Sequence, residues 1–177
     1  MPRFCGASFG SDDMRNSMFF VIPGYVYDIK DEFFDKFSNF GLMRNHDNSD
    51  FRPHFYCFKD EKTGLLWMVP LSSNVEKYRT ILNEKLRQYR YYDGIVIADV
   101  FGTQSVFLVQ DMFPITEEYV LCVHKKGEAP VHIKEAQQKV ITKKVKKILA
   151  LWRIKGIKNT LTDIEALEKE LLAESKP

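Results

Sequence analysis

Few of the features that announce a familiar chemistry are present in this chain. No apolar run approaches the roughly 20 residues of a membrane-spanning helix. No charged start is followed by an apolar core and cleavage site, so neither membrane insertion nor secretion is expected. Cysteine is scarce. Cys5, Cys57 and Cys122 are an odd number at wide spacings, which matches neither a disulfide framework nor a zinc site and suits a reducing cytoplasm. The histidines, His46, His54, His124 and His132, are singletons without ligand spacing, which leaves a zinc or iron centre unsupported. There is no phosphate-binding glycine loop and no Gly-x-Gly-x-x-Gly, which disfavours nucleotide cofactors. Gly-x-Ser-x-Gly is missing too, as are internal repeats and low-complexity runs. No cofactor and no metal are expected.

What remains is an ordinary globular composition. Hydrophobic residues are 45% and charged residues 28% of 177, enough for one domain with a sizeable core. Residues 1–17 are polar and without period and read as a peripheral extension, leaving residues 18–177 as a single domain. The net charge of +2 is unevenly distributed. Between Lys134 and Lys158 nine Lys or Arg face one acid, Glu135, a local balance of +8. Such a field suits a polyanion, and it equally suits a solvated helix face.

Periodicity gives the elements. Phe19-Phe20-Val21-Ile22 reads as a first strand. Phe33, Phe34, Phe37 and Phe40 have helical spacing within residues 30–40. Residues 51–59 and 65–71 flank the turn at Asp60–Gly64 and read as a hairpin, with Arg52, His54, Tyr56 and Phe58 on one face of its first strand. A helix follows to about residue 90. Residues 95–100 and 105–110 form a second hairpin and residues 119–124 and 131–133 a third, around Gly127. The basic helix, residues 134–155, and a last helix from about residue 162 complete the chain. Thr162 and Glu165 have capping-box spacing. This order predicts an α+β protein: a twisted, mainly antiparallel sheet of five to seven strands, curled toward a small barrel and surrounded by helices.

The segment Trp67-Met68-Val69-Pro70-Leu71-Ser72-Ser73 ends a strand and is followed at once by a helix carrying Lys77. Ser73-Asn74-Val75-Glu76 has the form of a capping box, with Ser73 as N-cap. A helix start also presents N–H groups to an anion, so the corner serves capping, phosphate binding or both. Ser73 and Lys77, four apart, share a helix face. Their spacing misses Ser-x-x-Lys by one residue, which disfavours acyl transfer. Arg52 and His54 lie on the strand antiparallel to this one, near the hydroxyls. For each a structural role, a surface ion pair or a satisfied half-buried imidazole, stands beside a functional one. Arginine, lysine, hydroxyls and imidazole suit RNA cleavage by the substrate's own 2′-hydroxyl, a reaction that needs neither outside water nor metal. His54 is the expected base or acid.

In the order and spacing of several anchors the chain resembles the ToxN/AbiQ-type endoribonuclease toxins of type III toxin–antitoxin systems, and among them the CptN-like branch. The anchors are Phe19–Ile22, Arg52-Pro53, Val69-Pro70-Leu71-Ser72-Ser73 and Phe107-Leu108-Val109-Gln110-Asp111-Met112-Phe113-Pro114-Ile115. The resemblance implies a metal-independent cytoplasmic endoribonuclease of bacterial growth arrest and phage defence. It would leave a 2′,3′-cyclic phosphate and a 5′-hydroxyl, act on mRNA and not on DNA, and engage no membrane. Its partner would be a small structured repeat RNA, the antitoxin, which it processes and with which it closes into a protein–RNA ring. By position, Ser73 matches the family's catalytic serine and Ser72 the hydroxyl before it. Asn74-Val75 stand where many relatives have Pro-Lys, and Arg44 stands for a family lysine. The basic helix, through Lys139, Lys143, Lys144, Lys146 and Lys147, would contact RNA phosphates, and Tyr56 would stack an unpaired base. The alternative is a non-catalytic RNA-binding module in which the serines only cap a helix.

Overall fold

The computed structural model describes residues 21–46 and 51–175. The expected extension, residues 1–17, lies outside these, as do Phe19 and Phe20. Val21 and Ile22 are not in a strand. The first strand is β1 (Val26–Ile29), followed by α1 (Asp31–Lys36), β2 (His54–Lys59), β3 (Leu66–Ser72) and α2 (Val75–Tyr89). Then come β4 (Val96–Val100), β5 (Thr103–Phe107), β6 (Phe113–Ile115), β7 (Val120–Val123) and a small hairpin, β8 (Lys125–Lys126) with β9 (Ala129–Pro130). Helices α3 (Glu135–Lys155) and α4 (Ile164–Glu174) end the chain. The fold is α+β, as the periodicity predicts.

The sheet has seven strands, with order β4-β5-β3-β2-β1-β7 and β6 added beside β3. All its pairings are antiparallel. The sheet does not close into a barrel: β4 and β7 stand at its two ends. Strand β3 changes neighbours along its length. Leu66, Trp67 and Met68 pair with β6, while Leu71 and Ser72 pair with β5. Pro70 stands at this hand-over, where a residue without an N–H leaves no ladder bond unmade. Its carbonyl is still used, accepting from Leu108 N–H at 2.9 Å.

Helices cover both faces of the sheet. On one face Ile141, Val145, Ile148 and Leu149 of α3 pack on Phe55, Trp67, Val69 and Phe107. On the other, Phe33 and Phe34 of α1 and Leu167 and Leu171 of α4 pack on Tyr27, Tyr56, Met68 and Phe113. Phe33 stacks on Phe113 with ring centroids 5.4 Å apart; aromatic pairs of this kind add about 0.5–1.5 kcal/mol beyond area burial. A third, smaller cluster joins α2 to the β4–β5 hairpin through Tyr78, Ile95, Val106 and Leu108. The tip of that hairpin is Phe101-Gly102, both with positive φ (51° and 74°), the backbone of a type I′ turn.

Because both faces are covered, β2 has no solvent face. His54 and Tyr56 are as buried as Phe55 and Cys57, and a register shift between Tyr56 and Phe58 turns Phe58 toward α3. Cys57 is free and burial raises its thiol pKa. No helix among the described residues is long and apolar enough to cross a membrane.

Candidate active site at the β3–α2 corner

A cleft of about 510 Å³ opens where β3 passes into α2. Arg52, Ser72, Ser73, Asn74, Lys77 and His124 all line it, and Ser105 closes one side. The geometry of the corner follows from its short side chains. Ser72 Oγ accepts from Asn74 N–H at 3.2 Å, and the Ser73 carbonyl accepts from Val75 N–H at 2.9 Å. These tight bonds delay the helix by one residue. The cap is therefore Asn74, whose Oδ1 accepts from Lys77 N–H at 3.3 Å, and not Ser73 as the capping-box pattern predicts. Ser73 is exposed, and its hydroxyl makes no hydrogen bond among the described residues. The positive end of the α2 dipole faces the cleft with it.

Arg52 enters from the residues just before β2. Its Nε donates to Arg44 O at 3.1 Å and its Nη1 to Leu71 O at 3.2 Å. These carbonyls fix the guanidinium without neutralising it, and no carboxylate pairs with it among the described residues. Burial lowers its pKa from the ordinary arginine value, with Tyr78 and Asp111 opposing; it stays a cation. Burial also raises the carboxyl pKa of Asp111. Lys77 has no ion pair either, and its Nζ lies 5.4 Å from the Tyr78 ring centroid.

Two histidines line the cleft, His46 and His124, and neither is the expected His54. His54 has no exposed surface and does not line the cleft. Its ring lies between Phe34 and Phe113, with centroids 5.8 and 5.4 Å away. Burial, then the charge of Arg52, push its pKa down to about 3. His124, just beyond β7, lines the cleft instead. Its Nδ1 lies 2.7 Å from Asp28 Oδ1 on the neighbouring strand β1. With Nδ1–H donating to this carboxylate, Nε2 is the nitrogen left to exchange a proton. The pair is 96 residues apart in sequence. The one local signal for it is an acid, Asp28, in an otherwise apolar strand.

The residues expected to bind RNA are not brought to the cleft. Arg44 is held by Asp35 of α1, although its carbonyl supports Arg52. Tyr56 is buried in the core, where burial raises its pKa, so it offers no ring face to a base. On α3, Lys139 pairs with Glu135 at 2.7 Å, and Lys144 and Lys147 share Asp93 at 2.9 and 2.6 Å. Lys146 lies over the Phe58 ring at 5.1 Å. Lys143 and Lys146 have no ion pair among the described residues.

No protein-family model and no curated protein matches the chain. Solved structures do. AbiQ, described as a lactococcal anti-phage endoribonuclease of the type-III toxin–antitoxin system, superposes with TM-score 0.66 at 13% identity, over 86% of this chain and 98% of that one. A structure from work on type III systems, with selective toxin inhibition by a non-coding RNA pseudoknot, gives TM-score 0.64 at 17% identity, over 88% and 100%. A third, from work on a processed non-coding RNA that regulates a bacterial antiviral system, gives 0.62 at 14%, over 86% and 99%. At these identities the likeness shows a shared fold.

Proposed function

We propose that this chain is the endoribonuclease toxin of a type III toxin–antitoxin system, cutting RNA through the 2′-hydroxyl of its substrate. The observation that carries the proposal is the cleft itself: two cations without carboxylate partners, a free hydroxyl and a carboxylate-held imidazole converge on one space. The fold shared with AbiQ and the RNA-regulated structures supports it, and the residue anchors favour the CptN-like branch.

The chemistry needs three things. The 2′-oxygen attacks phosphorus and the bond to the 5′-oxygen breaks, so one proton leaves the 2′-hydroxyl and one reaches the departing oxygen. Charge on the phosphorane must be stabilised meanwhile. Arg52 and Lys77 supply that charge, and the Ser73 hydroxyl and the α2 N-terminus supply donors. Serine is a poor base, so Ser73 positions the phosphate. His124, oriented by Asp28, moves a proton at Nε2. A 2′,3′-cyclic phosphate and a 5′-hydroxyl result without a metal in any step. The repressing partner is a structured repeat RNA that the same cleft processes, in a closed protein–RNA assembly.

Expression without an antitoxin RNA should arrest bacterial growth, and Ser73→Ala should relieve it. Purified protein should cleave total RNA in excess EDTA and leave cyclic-phosphate ends. A Ser73→Ala variant as toxic as the parent would remove that serine from the reaction. Binding without cyclic-phosphate ends would mean a non-catalytic RNA-binding module.

A further inference from the structure

At the other end of α2 lies a second groove, of about 450 Å³, that the cleavage chemistry does not use. Tyr89, Tyr91 and Tyr92 line it, with Lys85 among them. Tyr89 and Tyr91 are 52% and 67% exposed, as is Leu161 on the facing wall at 67%. Large rings left this open on a helix end are not part of the core. Tyr92 is fixed differently: its hydroxyl donates to Gln110 Oε1 at 2.7 Å, and its ring closes so tightly on Gly94 that a Cβ there would lie 2.6 Å away.

Cations surround the rings. Lys85 Nζ is 5.7 Å from the Tyr89 centroid and 5.9 Å from that of Tyr92, and Lys147 is 4.5 Å from that of Tyr91. The acid in the groove, Asp93, is held by Lys144 and Lys147. Lys85 has no ion pair among the described residues. A lysine at the centre of an aromatic groove is unlike the core of a protein–protein interface, where charged residues are depleted. It matches single-stranded nucleic acid, whose bases stack on aromatic rings while its phosphates meet cations. The same helix joins groove and cleft. Lys77 lines the cleft and Tyr89 the groove, and the stretch between them spans about 18 Å at 1.5 Å per residue.

We infer that the Tyr89–Tyr92 groove is a second RNA subsite, which stacks unpaired bases of a strand whose scissile phosphate lies in the cleft. The inference rests on the RNA reading of the cleft. It places recognition beyond the cleavage point at the end of α2 and the tyrosines that follow it, with Lys147, Ile148 and Leu151 of α3 beside them.

The test measures binding of fluorescein-labelled oligoadenylates in the Ser73→Ala background, where cleavage does not interfere. A trinucleotide fills the cleft alone, and a longer oligomer reaches the groove. Lengthening should raise affinity, and the added Tyr89→Ala/Tyr91→Ala pair should reduce that gain by about tenfold or more. Tyr91→Phe, which keeps the ring, should retain it. A gain undiminished in the alanine pair, with the trinucleotide still bound, overturns the subsite alone. Failure of the Ser73→Ala protein to bind either length overturns the RNA reading with it. Sedimentation without RNA supplies a further decisive arm: a dimer that the alanine pair dissolves means that a second copy of this chain occupies the groove. Thermal melts confirm that the variants are folded.

Discussion

Three of the six lysines of α3 come with acidic partners. Lys139 has Glu135, Lys144 and Lys147 have Asp93, and Arg153, at the same helix's end, has Asp60 at 2.6 Å and Glu168 at 2.8 Å. The corner cleft holds far fewer cations, but Arg52 is held by carbonyls and Lys77 by nothing charged. A run of basic residues in sequence counts charges and says nothing of the acids that other elements bring to it. The acids that meet α3 come partly from the loop before β4 and the turn after β2. Local charge therefore overstates α3 as an anion site and understates the cleft.

Four measurements test this contrast, the largest effect first. His124→Ala should lower kcat by about 10²–10⁴-fold, the usual scale for loss of a general acid or base, and Asp28→Asn by less. A rate within a few-fold of the parent would take the imidazole out of the mechanism. The buried histidine should behave in the opposite way. His54 has a folded-state pKa of about 3 against an ordinary 6.5, so the unfolded chain takes up a proton that the folded chain refuses. The stability this gives is complete above pH 6.5 and is lost as pH falls toward 3. Unfolding at pH 5 should be easier by about 2 kcal/mol than near neutrality for this reason, and His54→Leu should remove that dependence without lowering kcat. Denaturant titrations at the two pH values check it. Lys77→Ala should cost about tenfold in kcat/KM, with a smaller salt dependence of KM. Lys143→Ala with Lys146→Ala on α3 should change cleavage by no more than about twofold. A larger loss from the α3 pair than from Lys77→Ala would reverse the comparison.

Much of the fold is visible in the amino-acid pattern, for physical reasons that differ by element. The β2–β3 and β4–β5 hairpins, α2, α3 and α4 fall within a few residues of their predicted places, because alternation, turn residues and helical spacing agree there. The predicted helix over residues 30–40 shortens to α1 and a single tight turn at Ser38–Phe40. At the last helix Asp163, not Thr162, supplies the cap. Strand β6 escapes notice because three residues with a central proline carry too little period. The site divides in the same way. Arg52, Ser72, Ser73 and Lys77 are close in sequence or on paired strands, so a hairpin reading brings them together. Alternation puts His54 on the face of Arg52, near the hydroxyls, but helices cover both faces of this sheet and its ring lies in the core. Asp28 and His124 meet only through the pairing of β1 with β7, a long-range contact that no local pattern encodes.

The change of neighbours at Pro70 has a consequence for motion. On one side of it β3 belongs to the large double-faced core; on the other it holds the β4–β5 hairpin by two paired positions, and that hairpin packs with α2 around a small cluster while Phe107, Val96, Ala98 and Val100 reach the edge of the large core. Units of this kind open separately in hydrogen exchange. The amides of β5 and the first turns of α2 should exchange through a lower-energy opening than those of β2. The cleft takes Arg52 from one unit and Ser105 and Lys77 from the other, so a ligand that bridges them should slow exchange in the smaller unit most. Occupancy of the site would then be readable as cooperativity between two halves that otherwise breathe apart.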